Sequence, residues 1–334
     1  MSSQPEAVAA EQSNAFTRLL QSTERRRIVY AWCAAVLLFV IGNLVRPGFA
    51  SFASVQAVLV VASFVGMVAA GQTFVILIGG IDLSVPWVLN GAAILLVTSS
   101  LGQNDRAALA IALTLGMGAL VGLCNGIGVA LFGVPAVVMT LAMNGIMEGL
   151  TLGLSGGMTC ESCASYAPSV VQAAVHGQFL GVPAALYLWA VVAGIVAVVL
   201  SLTTFGRSTY AIGNNARASY LAGIRVTATI VILYMLCGVF AALAGIILVG
   251  FGGQAALGMG DPYLFQSIAA VVIGGVYILG GRGHYIGTVA GSISLVALIS
   301  VLMAMNMPEY GRSIIYGVII LALLLLYGRE TSER

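Results

Sequence analysis

The chain has 334 residues, 60% of them hydrophobic and 7% charged, with a formal net charge of +2. Soluble domains carry about 25% charged residues and about 45–50% apolar ones, so an ordinary water-soluble domain is excluded. Nucleic-acid binding is excluded too, because the basic residues, all arginine, never cluster in a soluble domain large enough to present them.

Residues 1–27 form a polar tail that leads through Arg25, Arg26 and Arg27 into the first apolar run, Ile28–Val45. No small-residue cleavage site follows that run, which therefore reads as a retained helix. Crossing hydrocarbon as a helix takes about 20 predominantly apolar residues. Runs of that kind recur at Val55–Ile78, Val85–Ser100, Ala107–Phe132, Ala136–Leu154, Pro183–Leu202, Thr227–Gly250, Leu264–Leu279, Gly287–Met305 and Arg312–Leu326. Lipid offers backbone groups no hydrogen-bond partner, so the spans must be helices. The expected fold is an all-α, polytopic integral membrane protein of about ten transmembrane helices. The third and eighth spans are short enough to be tilted, broken or partly re-entrant. The 42 glycines suit helices packed closely through small residues.

Arginine placement sets the expected orientation. With the N-terminus inside and ten crossings, the inner segments hold Arg18, Arg25, Arg26, Arg27, Arg207, Arg217, Arg225, Arg282, Arg329 and Arg334. Only Arg46, Arg106 and Arg312 stay outside, so the positive-inside rule places both termini in the cytoplasm. The domain limits that follow are residues 28–327 for the membrane domain and 328–334 for a second cytoplasmic tail.

Two polar interruptions stand out. Gly156–Val182 carries Cys160 and Cys163 in a C-x-x-C; an outward-facing disulfide and two free thiols both stay open. Cys33, Cys124 and Cys237 lie within spans and read as small hydrophobes. The second interruption, residues 203–226 (TTFGRSTYAIGNNARASYLAGIRV), holds three arginines and no acid. Gly206, Gly213 and Gly223 punctuate it, and Asn214–Leu221 reads as a short helix. A basic, structured segment between membrane helices is a handle for another protein.

Catalysis is not expected: no metal-ligand cluster and no Ser-His-acid set lies within the spans, and without lysine a P-loop is impossible. If transport here uses ATP, the ATPase is a separate polypeptide. Polar residues in or beside spans are the candidates for a translocation pathway. They are Gln72, Thr73, Asp82, Ser84, Asn144 and Glu148. Glu148 and Asn144 share a helix face at i, i+4 and are expected to face the bundle interior. Interhelical bonding is the competing reading for Gln72 and Thr73, and helix capping for Asp82 and Ser84. Asp261-Pro262 reads as a turn at the outer face. Val75–Gly80 (VILIGG) and Val271–Gly275 (VVIGG) echo each other, each late in a span heading inward.

Four stretches carry a family resemblance in order and at familiar separations: GQTFVILIGGIDLSV (Gly71–Val85), GVPAVVMTLAMNGIMEGLTLGLSGG (Gly133–Gly157), FGRSTYAIGNNARASYLAGI (Phe205–Ile224) and IAAVVIGGVYILGGRG (Ile268–Gly283). They resemble the permease subunits of ribose-type ABC sugar importers, the monosaccharide branch that includes autoinducer-2 systems. The resemblance implies a multi-pass protein of the bacterial inner membrane that pairs with a second permease copy or a paralogue. A periplasmic sugar-binding protein would feed the pair, and a cytoplasmic ATPase with two nucleotide-binding modules would drive it. ATP and magnesium would sit on that ATPase, with no cofactor on this chain. Gly206, Arg207, Gly213, Asn214, Asn215, Arg217, Leu221, Ala222 and Gly223 would form the docking element, transmitting ATPase closure to the spans on either side of it. This chain departs from the family pattern at Ala216 and Arg217, where acids are common, at Glu148, where arginine is common, and at Pro86, where glycine is common. Non-sugar cargo (branched-chain amino acids or nucleosides) and a stand-alone secondary carrier are the alternatives; the particular sugar is open.

Overall fold

The computed structural model describes residues 23–157, 166–308 and part of 310–321. Cys160, Cys163, both tails and much of the tenth expected span lie outside the described residues. In chain order the helices are α1 (Thr23–Val45), α2 (Phe52–Leu77), α3 (Val85–Ser100), α4 (Asn104–Ala130), α5 (Ala136–Ser155) and α6 (Ser169–His176). A two-residue strand β1 (Gln178–Phe179) then pairs antiparallel with β2 (Val182–Pro183). After it come α7 (Ala184–Leu202), α8 (Thr204–Asn214), α9 (Ala216–Leu221), α10 (Val226–Gly252), α11 (Tyr263–Ile273) and α12 (Tyr285–Ala304). Among the described residues seven helices, α1, α2, α4, α5, α7, α10 and α12, are long and apolar enough to cross a membrane, and α3 and α11 are shorter apolar helices.

Burial follows from side-chain chemistry. A helix that is apolar all round belongs in the middle of a bundle. In α2 every residue from Ala62 to Leu77 is buried. The tightest helix pair is built from glycine. Gly118, Gly122 and Gly126 of α4 repeat every fourth residue and meet the backbone of α10, where a Cβ on Gly122 would lie 2.2 Å from the Tyr234 carbonyl oxygen. Small residues at that spacing let two backbones touch, the main source of helix association in lipid. Gly122→Val should therefore force α4 and α10 apart and cost about 2–4 kcal/mol, seen as a lower unfolding temperature of the detergent-purified protein.

The chain folds back into the bundle before each of the two short spans. After α2 the chain reverses through Gly79 (φ 78) and returns alongside its own last turns. There the Gln72 side chain holds the Asp82 backbone, its Nε2 donating to the Asp82 carbonyl at 2.6 Å and its Oε1 accepting from the Asp82 N–H at 3.3 Å. At 1.5 Å rise per residue, Gln72 lies about 7 Å inside the end of α2, so α3 starts within the bundle and its 16 residues still reach the far end. The second fold-back is residues 254–262. Gly260 sits on Pro86, where a Cβ would be 2.3 Å from the carbonyl oxygen, and its N–H donates to Asn90 Oδ1 at 2.8 Å. Asp261-Pro262 is thus an exposed turn against the first turns of α3.

The eighth span ends at Ile273, six residues short of Leu279, because Gly274 and Gly275 close the helix with Gly275 at φ 84. Here the echo between the two halves acquires a geometry. Gly80 N–H returns to Val75 O at 3.0 Å, and Val276 N–H returns to Val271 O at 3.2 Å. Both helices end in the same left-handed closing turn, with Gly79 equivalent to Gly275, one residue out of register with the paired glycine letters.

The loop Gly156–Val182 is not irregular throughout, since it contains α6 and the hairpin. Asn104 on α4 ties α6 down, its Oδ1 accepting from Val170 N–H at 3.0 Å and its Nδ2 donating to Ser169 Oγ at 2.8 Å. The segments that the arginine pattern assigns to one side gather at one end of the bundle: α8 and α9, the turn at residues 277–283, and the start of α1, where Arg27 meets Gly275.

Candidate functional site

At the handle, sequence and structure agree on location and differ on detail. The structure gives two helices, α8 and α9, broken at Asn215 rather than one helix from Asn214. Thr203 caps α8 by accepting from Gly206 N–H at 3.1 Å, and Asn215 caps α9 by accepting from Ala218 N–H at 2.9 Å. Both are the side-chain types that favour helix starts, which is why the break falls at Asn215. Gly213 is inside α8 rather than at a break.

The predicted docking residues separate into two faces. Arg207, Asn215, Arg217, Leu221, Ala222 and Gly223 are exposed. Tyr220 and Leu221 are 72% and 80% exposed, large apolar groups on a segment that lies between spans. Gly206 and Gly213 instead face inward. A Cβ on Gly206 would lie 2.3 Å from the Leu200 carbonyl oxygen at the end of α7, and Gly213 presses on the Leu77 carbonyl and the Gly281 N–H. Asn214 is exposed as a residue but turns its amide inward, donating to Gly281 O at 3.2 Å and Tyr210 O at 2.8 Å.

The pathway candidates divide as well. Gln72, Thr73, Asp82 and Ser84 come together with two residues the sequence reading missed, Asn125 and Thr140. Ser84 donates to Asp82 Oδ1 through its N–H at 2.9 Å and its hydroxyl at 2.6 Å, and Asn125 Nδ2 donates to Ser84 Oγ at 2.9 Å. Asp82 therefore caps a turn, while the α3 start has no side-chain cap. Thr140 on α5 accepts from Leu83 N–H at 3.0 Å, and Thr73 Oγ1 lies 3.1 Å from Thr288 Oγ1 on α12. All of these residues are buried, and none of them lines a cavity of ≈ 570 Å³ between the far ends of α2, α10, α11 and α12. Gln72, Asp82 and Ser84 bond the first fold-back internally, and Thr73 bonds α2 to α12. The signal for Asn125 and Thr140 was present in the sequence: each is a polar residue in an apolar span, like Gln72. Asp82→Ala would strand the Ser84 N–H in the core, a loss of about 1–3 kcal/mol by thermal or chemical unfolding.

Asn144 and Glu148 lie elsewhere. They are half-buried on α5, at the edge of this chain's bundle rather than facing its interior. Asn144 Oδ1 is buried with no hydrogen-bond partner among the described residues. Around them Gly145, Gly149 and Gly153 repeat every fourth residue, and a Cβ at any of the three would meet nothing within 4 Å. The second fold-back adds Asp261, exposed at the depth of the first turns of α3 and accepting from Asn90 Nδ2 at 3.3 Å. An accessible carboxylate at that depth is a functional candidate. The sequence shows it as one of few ionisable residues near the spans, but Asp-Pro reads there as a turn.

Chains of apolar helices that enclose buried polar turns and present a basic two-helix segment between spans define a class, the polytopic membrane permeases. The chain belongs to the family described as branched-chain amino acid transport system / permease component, whose model matches residues 54–324. It is 33% identical over 311 residues to the autoinducer 2 import system permease protein LsrC of Escherichia coli K12 / DH10B, covering 93% of this chain and 90% of that one. It is also 33% identical over 315 residues to the ribose import permease protein RbsC of Escherichia coli K12, covering 92% of this chain and 97% of that one. No solved structure gave a significant match.

Proposed function

We propose that the chain is the translocating subunit of an ATP-binding-cassette importer for a monosaccharide or related polyol in a bacterial inner membrane. It works as a pair of permeases with ten crossings each and cytoplasmic termini, fed by a periplasmic binding protein. A separate ATPase with two nucleotide-binding modules drives the pair. The observation that carries this reading is the α8–α9 unit, a basic cap with exposed Tyr220 and Leu221, in a chain whose relatives import ribose and autoinducer 2. Apolar groups exposed on a segment outside the lipid need protein cover, and a segment with three arginines and no acid fits an acidic groove.

The bare glycine face of α5 is the place for a second permease, with Glu148 and Asn144 then lining the seam between copies. Cargo would pass along that seam and meet the exposed Asp261, a carboxylate that suits sugar hydroxyls and that the buried Asn90 holds in place. The test is reconstitution with a two-module ATPase and a ribose-binding protein. ATP-dependent ribose uptake that excess leucine does not compete supports the reading. Uptake by the lone chain under a proton or sodium gradient would overturn it.

A further inference from the structure

The handle is covalently joined to α7 and α10 and packs on the end of α7 through Gly206, and it also meets the ends of elements far from it in the chain. Four glycines from three separate segments meet at one point. A Cβ on Gly280 would lie 2.7 Å from Gly79 N, 2.9 Å from Leu77 O and 3.2 Å from Gly213 O. Gly281 N–H donates to the Leu77 carbonyl at 2.8 Å, so the turn at residues 277–283 is stitched to the end of α2. α8 is stitched to the same turn, through Asn214 to Gly281 O and through Tyr210, whose hydroxyl donates to Gly283 O at 2.7 Å. With no side chains between these backbones, α8 cannot shift without moving the end of α2 and the lead-in to α12.

The contact continues inward. Residues 78–84 follow α2 directly, and their far end is fastened to α5. Thr140 Oγ1 accepts from Leu83 N–H at 3.0 Å and lies 3.3 Å from Ile81 O. The Thr140 side chain is buried, so these bonds exchange with no solvent. An unbroken series of backbone and hydrogen-bond contacts thus joins α8 to α5, the helix with the bare face.

We propose that the stroke of the motor reaches α5 by this route, through Asn214 at the handle and Thr140 at the pathway helix, rather than through the covalent joints to α7 and α10. Asn214, though exposed, then acts as a positioning residue through its inward amide bonds rather than as part of the surface the ATPase grips. Coupling between distant sites requires packed elements whose arrangement both sites bias, and this series supplies them. The inference rests on the importer reading above.

The test uses the whole complex, permease with ATPase and binding protein, carrying Asn214→Ala, Thr140→Val or both. The readout is stimulation of ATP hydrolysis by sugar-loaded binding protein, measured beside the amount of ATPase that co-purifies. Each single variant should keep the ATPase bound and lose stimulation about tenfold, with the double variant no worse than either, as expected for two positions on one path. Three results would each overturn the route: undiminished stimulation, even with a lower unfolding temperature; loss of the ATPase on Asn214→Ala; or fully additive losses. Failure of the importer reading shows differently, as a wild-type chain that binds no ATPase at all.

Discussion

Leu221→Asp combined with Arg217→Glu is expected to release the ATPase from the purified complex and abolish transport, while the permease still inserts and folds. Both side chains project from α9, and Leu221 is 80% exposed. Among the described residues no hydrogen bond or ion pair depends on them, so the unfolding temperature should not change. Arginine is a residue type enriched among the groups that dominate binding, and beside it Leu221 adds an exposed apolar anchor. Losing an anchor costs about 2 kcal/mol or more, and placing an acid against an acidic groove adds repulsion. The combined loss is about a thousandfold in affinity, enough to empty the complex at micromolar concentrations. Co-purification measures it directly. Full ATPase retention with normal uptake would mean that the handle is not the docking site.

The second large effect is expected at Gly149. In the single chain a Cβ there meets nothing within 4 Å, unlike Gly122, where it would press on the α10 backbone. Gly149→Leu should therefore leave the fold of one permease intact, or stabilise α5 by about 1 kcal/mol through helix propensity. It should nevertheless split the permease pair and reduce uptake to background, because a bulky side chain on a glycine face prevents close approach of a second backbone. Size-exclusion with light scattering, run beside an uptake assay, separates the two effects. A variant that remains paired and transports normally would show that this face touches lipid.

The handle was legible as a location because three arginines without an acid between two apolar runs is a local pattern. Its division into a gripping face and an inward face was not, since that depends on Leu77 and Gly281, far from it in the chain. The polar residues within spans were equally visible, but the choice between a pathway role and internal bonding stayed open for them. Gln72, Asp82 and Ser84 look like Glu148 in sequence, yet the first three satisfy one another inside the bundle and Glu148 stands at its edge. A polar residue in an apolar run announces that it has a partner; it does not say which.

Hydropathy alone determined that this chain is a helical membrane protein and where most of its helices begin and end. The reason is local: in hydrocarbon a backbone must bond to itself, so each apolar run folds as a helix whatever its neighbours do. Only the tertiary structure decided that the chain folds back into the bundle before each of the two short spans. The same holds for which glycines are pressed against backbone and which lie bare, and for how the handle meets the ends of α2 and the turn before α12. Those features arise from contacts between residues such as Gly260 and Pro86, or Gly213 and Leu77, whose distance in sequence leaves no periodic trace.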